Sequence, residues 1–225
     1  MRELRSILTI AAALLFGQIA LGAFTVITEL PSLLVGSHLT VGMLFLCLAV
    51  IGAVQVQNRT LSVHGLPRWR GIAALLGALL VVVSGALVVG MAAGVACQGY
   101  LSCNGGSGFS RMLVEVHMGH RYGAYIFSIT VALLAGWRLR VDHGRTRWLG
   151  ILAIALLAVQ ITLGFAQVRM GLPQYLRVGH VFTASLIMAT ATALYFWPLG
   201  QQVAKTVPTK ANRSARVDVT APDPA

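Results

Sequence analysis

Apolar residues run through this chain in six long blocks, and polar residues gather between them. The blocks cover residues 7–27, 33–56, 71–95, 112–137, 149–168 and 176–197. Each is close to the ~20 residues an α-helix needs to cross a bilayer. The pattern predicts an all-α, polytopic membrane helix bundle with six transmembrane helices. Composition agrees: 57% of residues are hydrophobic, 10% are charged and the mean hydropathy is +0.79. A soluble domain has about a quarter of its residues charged. The 24 glycines suit close helix–helix approach in lipid.

Two of the block pairs are copies of each other. Gln18, Leu21, Gly22, Val26, Leu30, Pro31, Leu34 and His38 recur as Gln160, Leu163, Gly164, Val168, Leu172, Pro173, Leu176 and His180, at a constant offset of 142 residues. Each copy reads as an apolar helix, a Leu-Pro turn and a second apolar helix with a histidine near its start. The expected organisation is a half repeat over residues 1–60 (spans one and two), a complete four-helix unit over residues 70–198 (spans three to six) and a disordered cytoplasmic tail over residues 199–225. The tail has no apolar run, so it has little surface to bury. Arg2 and Arg5 ahead of the first block resemble the start of a signal peptide. Its match to the fifth block argues for a retained helix instead.

The net charge of +11 is distributed by side of the membrane. Of the 17 Lys and Arg residues, 13 fall in the first, third, fifth and seventh inter-span segments and three in the alternate ones; Arg121 lies within a span. The positive-inside rule then places both termini in the cytoplasm of a bacterial-type inner membrane. The basic excess sets orientation and implies no nucleic-acid partner. Arg169 and Arg177, at the outer rim, are expected to snorkel to headgroups.

Cys97 and Cys103 fall in an outer loop, Ala96-Cys97-Gln98-Gly99-Tyr100-Leu101-Ser102-Cys103. An oxidising compartment and a short closable loop favour a disulfide, with a structural staple ahead of a redox-active pair. Cys47 falls inside a span and reads as a packed apolar residue. The sequence contains no Cys-x-x-Cys-His, which excludes covalent c-type haem attachment.

Six histidines are present; His64 and His143 fall in basic loops and carry no assigned chemistry. His38, His120 and His180 lie roughly 6–12 Å below the outer ends of spans two, four and six, taking 1.5 Å per helical residue. Ionisable groups at such depth are costly and mark function. Two imidazoles facing across a bundle can supply both axial ligands of a haem iron. His120 and His180 are the expected metal-binding pair, because both belong to the complete four-helix unit. His117 shares a helix face with His120 and is expected to bond a ligand, shuttle a proton or line the pocket, unless it is a satisfied polar residue at a helix interface. Arg121 needs an anion, which a haem propionate would supply through a charge-assisted bond. Zinc held by His38, His117, His120 and His180 is the competing ligand set; it is disfavoured by the scarcity of carboxylates and by the water path that catalytic zinc needs.

These residues together resemble the haem A synthase family. Val116-His117-Met118-Gly119-His120-Arg121-Tyr122 is similar to its histidine–arginine helix, Ala96 to Gly105 to its outer cysteine loop, and the two Gln-to-His copies to the third and fourth helices of each family half. The family has two four-helix halves, each with a histidine pair, and oxidises the methyl group of haem O to the formyl group of haem A beside a b-type haem. The chain aligns with helices three to eight of that plan. The resemblance therefore implies one bis-histidine haem b on His120 and His180, with Arg121 beside it. It implies catalytic roles for His38 and His117, and haem O and haem A as substrate and product. His38 then lacks its pairing histidine. A homo-oligomer, another subunit or two helices upstream of Met1 would complete that half.

Two functions follow. One is a haem A synthase-like oxidoreductase serving cytochrome oxidase assembly, with haem O synthase, a cytochrome oxidase or an electron donor as partners and its site toward the outer face. The other is a six-helix b-type cytochrome that carries one haem for electron transfer or oxidase assembly without the oxidation. A thiol-redox membrane protein ranks last, since no Cys-x-x-Cys accompanies Cys97 and Cys103.

Overall fold

A computed structural model describes residues 2–58, 68–99, 103, 108–142 and 144–197. His64, His143 and the tail over residues 199–225 lie outside the described residues. The described chain is helical: α1 (Arg2–Ile27), α2 (Ser32–Asn58), α3 (Arg68–Gly90), a 3-10 turn (Ala93–Val95), α4 (Arg111–Val141), α5 (Arg145–Arg169) and α6 (Gln174–Phe196). All six α-helices are long and apolar enough to cross a membrane, and the chain is a polytopic helical bundle. In lipid a helix satisfies its own backbone groups, so apolar blocks of this length have no other open conformation.

The third block breaks earlier than its hydropathy suggests. α3 stops at Gly90, Ala92 turns left-handed at φ 54°, and residues 93–95 coil into the 3-10 turn. A left-handed residue cannot continue an α-helix. At the start of α4 the Ser110 hydroxyl accepts from the Leu113 amide, the usual N-cap arrangement.

The repeat seen in sequence is also a repeat of turns. Leu30 N–H donates to Thr25 O (2.9 Å) and Glu29 N–H to Val26 O (3.2 Å). In the second copy Leu172 N–H donates to Gln167 O (2.6 Å) and Gly171 N–H to Val168 O (3.3 Å). This paired bonding closes both helices with a Schellman motif, and the proline after each leucine starts the next helix.

The repeat-related helices α2 and α6 pack against each other, with α1 on α2 and α5 on α6; α3 touches α2, α4 and α6, and α4 touches α5 and α6. One core cluster joins α4, α5 and α6 through Val131, Ala135, Ala153, Leu157, Ile187 and Leu194. A second joins α2, α3 and α6 through Met43, Cys47, Ala78 and Met188. α2 thus shares a core with α3 and α6. Cys47 is buried there and receives a hydrogen bond from the Thr192 hydroxyl. On α1, large apolar side chains such as Phe16, Ile19 and Val26 are exposed, as befits a helix bathed in lipid.

At the end of the bundle opposite the histidines, Arg138 and Asp142 form a fully buried ion pair at 2.7 Å on α4. Arg138 also donates to the carbonyls of Leu194 and Trp197, which the end of α6 leaves without helical partners. One cation therefore ties the end of α4 to the end of α6.

Candidate functional site

His38 and His180 occupy equivalent places. Each is the seventh residue of its helix, after a turn of the same geometry, and each ring lies against the helix before it. His38 faces α1, where a Cβ on Gly22 would stand 2.9 Å from its Cε1; His180 faces α5, where a Cβ on Gly164 would stand 3.2 Å from its Cε1. Only glycine leaves room for an imidazole to lie against the neighbouring helix in this way. The same device holds His120 against α3, where a Cβ on Gly85 would stand 3.0 Å from its Cε1. Three imidazoles thus rest in three glycine cradles.

The ring nitrogens have different partners. Gln18 Nε2 lies 3.1 Å from His38 Nε2, and Gln160 Nε2 lies 3.2 Å from His180 Nε2. His120 is held instead through Nδ1, 3.0 Å from the Ser84 hydroxyl. That leaves Nε2 as the ring nitrogen Ser84 does not engage, the arrangement in which an outer-sphere bond on one nitrogen orients a metal-binding histidine. Buried Nδ1 atoms of His38 and His180 have no hydrogen-bond partner. His120 and His180 come from α4 and α6. Two imidazoles, each cradled by a glycine of a neighbouring helix, are residues that could hold a haem iron.

His117 and Arg121 face elsewhere. His117 Nδ1 donates to the Ala93 carbonyl at 2.8 Å, and its Nε2 accepts from Arg121 Nε at 3.1 Å. The remaining guanidinium nitrogens donate to the carbonyls of Cys97 (2.6 Å) and Gly99. The expected anion beside Arg121 is thus matched here by three neutral acceptors, and both ring nitrogens of His117 are engaged. Cys97 and Cys103 are joined by a disulfide with Cα atoms 4.7 Å apart. Gly94 abuts Leu172, since a Cβ at Gly94 would stand 2.6 Å from its Cδ1. The loop is therefore pinned to α4 from one side and rests on the α5–α6 turn on the other.

Among the described residues no three His, Cys, Asp or Glu side chains gather as a metal-binding group, so the four-histidine zinc set is not assembled. A groove of about 470 Å³ opens between α2 and α3, lined by Gly36, Thr40, Val83 and Ala86 among others and by no histidine. Sequence reasoning missed Ser84 and Gly85. Their signal was a serine, the one polar residue between Ile72 and Gly90, followed directly by a glycine.

Comparison with known proteins identifies the family. A heme A synthase from Lysinibacillus sphaericus (strain C3-41) is 33% identical over 132 residues, 56% of this chain. The match covers 43% of that relative, so the chain spans less than half of the curated protein it resembles. Residues 1–192 match the family model COX15-CtaA, described as cytochrome oxidase assembly protein. The chain belongs to this family of cytochrome oxidase assembly proteins.

Proposed function

We propose that this chain is a haem A synthase-like membrane oxidoreductase that holds a b-type haem between His120 and His180. The observation that carries the reading is that His120 of α4 and His180 of α6 each rest in a glycine cradle of a neighbouring helix. The heme A synthase relative and the family support the substrate class: haem O, oxidised at a methyl group to give haem A. When bound, the haem iron supplies the oxidation chemistry, and the protein supplies binding, orientation and a dry surrounding.

The chain's own residues have separable tasks. Ser84 fixes the His120 ring through Nδ1, and Gly85 and Gly164 set how far each imidazole sits from its neighbouring helix. His117 and Arg121 act as positioning residues that hold the disulfide loop over this end of the bundle. His38 is the ligand of the substrate side. The basic segments orient the chain with both termini in the cytoplasm, which puts the histidines toward the outer face.

A second reading, a b-type cytochrome that assists oxidase assembly without oxidising haem O, draws support from His38. Its ring lies with Gln18 and Gly22 of α1.

Co-expression with a haem O synthase, followed by extraction and identification of the bound haem, tests both. Haem A supports the oxidoreductase; haem B or haem O alone supports the cytochrome. A low-spin b-type difference spectrum that survives both His120→Ala and His180→Ala removes the axial pair and both readings with it.

A further inference from the structure

The repeat preserves more than the two histidines. In both copies a glutamine twenty residues ahead of the histidine places its amide nitrogen on the imidazole Nε2, at 3.1 Å for Gln18 and 3.2 Å for Gln160. In both copies the same two atoms remain buried without a hydrogen-bond partner, the glutamine Oε1 and the histidine Nδ1. Buried polar side-chain atoms are nearly always paired, and each exception calls for an explanation.

The chemistry of the contact fixes which ring nitrogen accepts. An amide N–H donates, so Nε2 accepts through its lone pair and the ring proton resides on Nδ1. That lone pair is the one a metal takes when imidazole binds through Nε2. His120 is different, because Ser84 engages Nδ1 instead. The glycines at positions 22 and 164 keep the rings in place independently of the glutamines.

We propose that Gln160, and Gln18 in the first copy, are positioning residues that occupy the metal-binding nitrogen of the partner histidine in the ligand-free protein. They fix the tautomer that can bind iron and give up the hydrogen bond when it does. The proposal rests on the haem reading above. It separates Gln160 from a structural spacer, because the amide competes with the ligand it prepares for.

The test uses the full chain in detergent, purified from a haem-deficient host, with ferric protoporphyrin IX as the probe. Gln160→Leu removes the competing donor and leaves the Gly164 cradle, so binding tightens by about two- to tenfold, the worth of one hydrogen bond. Gln160→Glu offers an acceptor that draws the proton onto Nε2, so binding weakens. A spacer predicts that both variants weaken binding together with thermal stability, and that result overturns the proposal. Nitrogen-15 histidine spectra of the haem-free chain provide a second readout: the His180 Nδ1–H form should dominate in the wild type and become mixed in Gln160→Leu, with Gln18→Leu doing the same at His38. An unchanged tautomer overturns the proposal on its own. Porphyrin affinity unaffected by His180→Ala sinks the haem reading, while the tautomer result still decides the role of the glutamines.

Discussion

Arg121 donates from Nε to Nε2 of His117 at 3.1 Å, one turn away on the same helix. The contact makes a histidine and an arginine into one device. His117 reaches Ala93 with its other nitrogen, and Arg121 reaches Cys97 and Gly99. Lysine carries one compact ammonium and lacks the planar fork that serves three acceptors in fixed directions. Arg121→Lys should therefore free the loop to open, losing bonds from a charged donor worth about 1.5–3 kcal/mol. The rate at which a water-soluble phosphine reduces Cys97–Cys103 should rise roughly tenfold or more, with helix content by circular dichroism unchanged. An unaltered rate would show that the guanidinium does not hold the loop.

Gly85 and Gly77 lie on the same helix but differ in surroundings. A Cβ at Gly85 would stand 3.0 Å from His120 Cε1, whereas one at Gly77 meets nothing within 4 Å. Both alanine substitutions gain helix propensity of up to about 1 kcal/mol. Gly77→Ala should raise thermal stability slightly and leave haem content alone. Gly85→Ala must push the His120 ring off its cradle and away from Ser84, so haem bound per protein should fall severalfold. Equal haem content in the two variants would remove Gly85 from the site.

What the sequence disclosed and what it withheld have a physical division. The six spans were legible because lipid leaves a long apolar block no alternative to a helix. The histidines were legible because a polar ring in such a block is conspicuous. Which helix each ring lies against was not, since α2 and α5 are apolar around their whole circumference and show no stripe to mark an inner face. The partners of Arg121 were hidden for another reason: two of them are backbone carbonyls, and any residue carries one. Gln18 and Gln160 were visible as members of the repeat, but their contact with Nε2 required coordinates.

The two Schellman turns differ at one residue that matters. The second copy has Gly171 at φ 74°, and the first has Glu29 at φ 63°. A side chain in the left-handed region costs roughly 1–2 kcal/mol, which glycine does not incur. Glu29→Gly should raise the unfolding temperature in detergent, partly offset by the greater chain entropy of glycine when unfolded. Gly171→Ala should lower it by a similar amount. Should both substitutions leave the transition where it is, the two turns do not contribute to stability as their conformations imply.

Arg138 and Asp142 present the sharpest energetic test, because both side chains are only 1% exposed. Arg138→Met strands a buried carboxylate and removes the donor to the Leu194 and Trp197 carbonyls. Breaking a buried ion pair from one side costs about 3–5 kcal/mol, since the remaining charge stays out of water. Asp142→Asn should be milder, because Arg138 keeps its two carbonyl acceptors. Combining the two removes the stranded charge, so the double variant should be more stable than the sum of the singles predicts by about 1–3 kcal/mol. Thermal or denaturant unfolding of the four proteins in one detergent measures this coupling. Strict additivity would mean that the two groups do not depend on each other, and that the tie from α4 to the end of α6 rests on the arginine–carbonyl bonds alone.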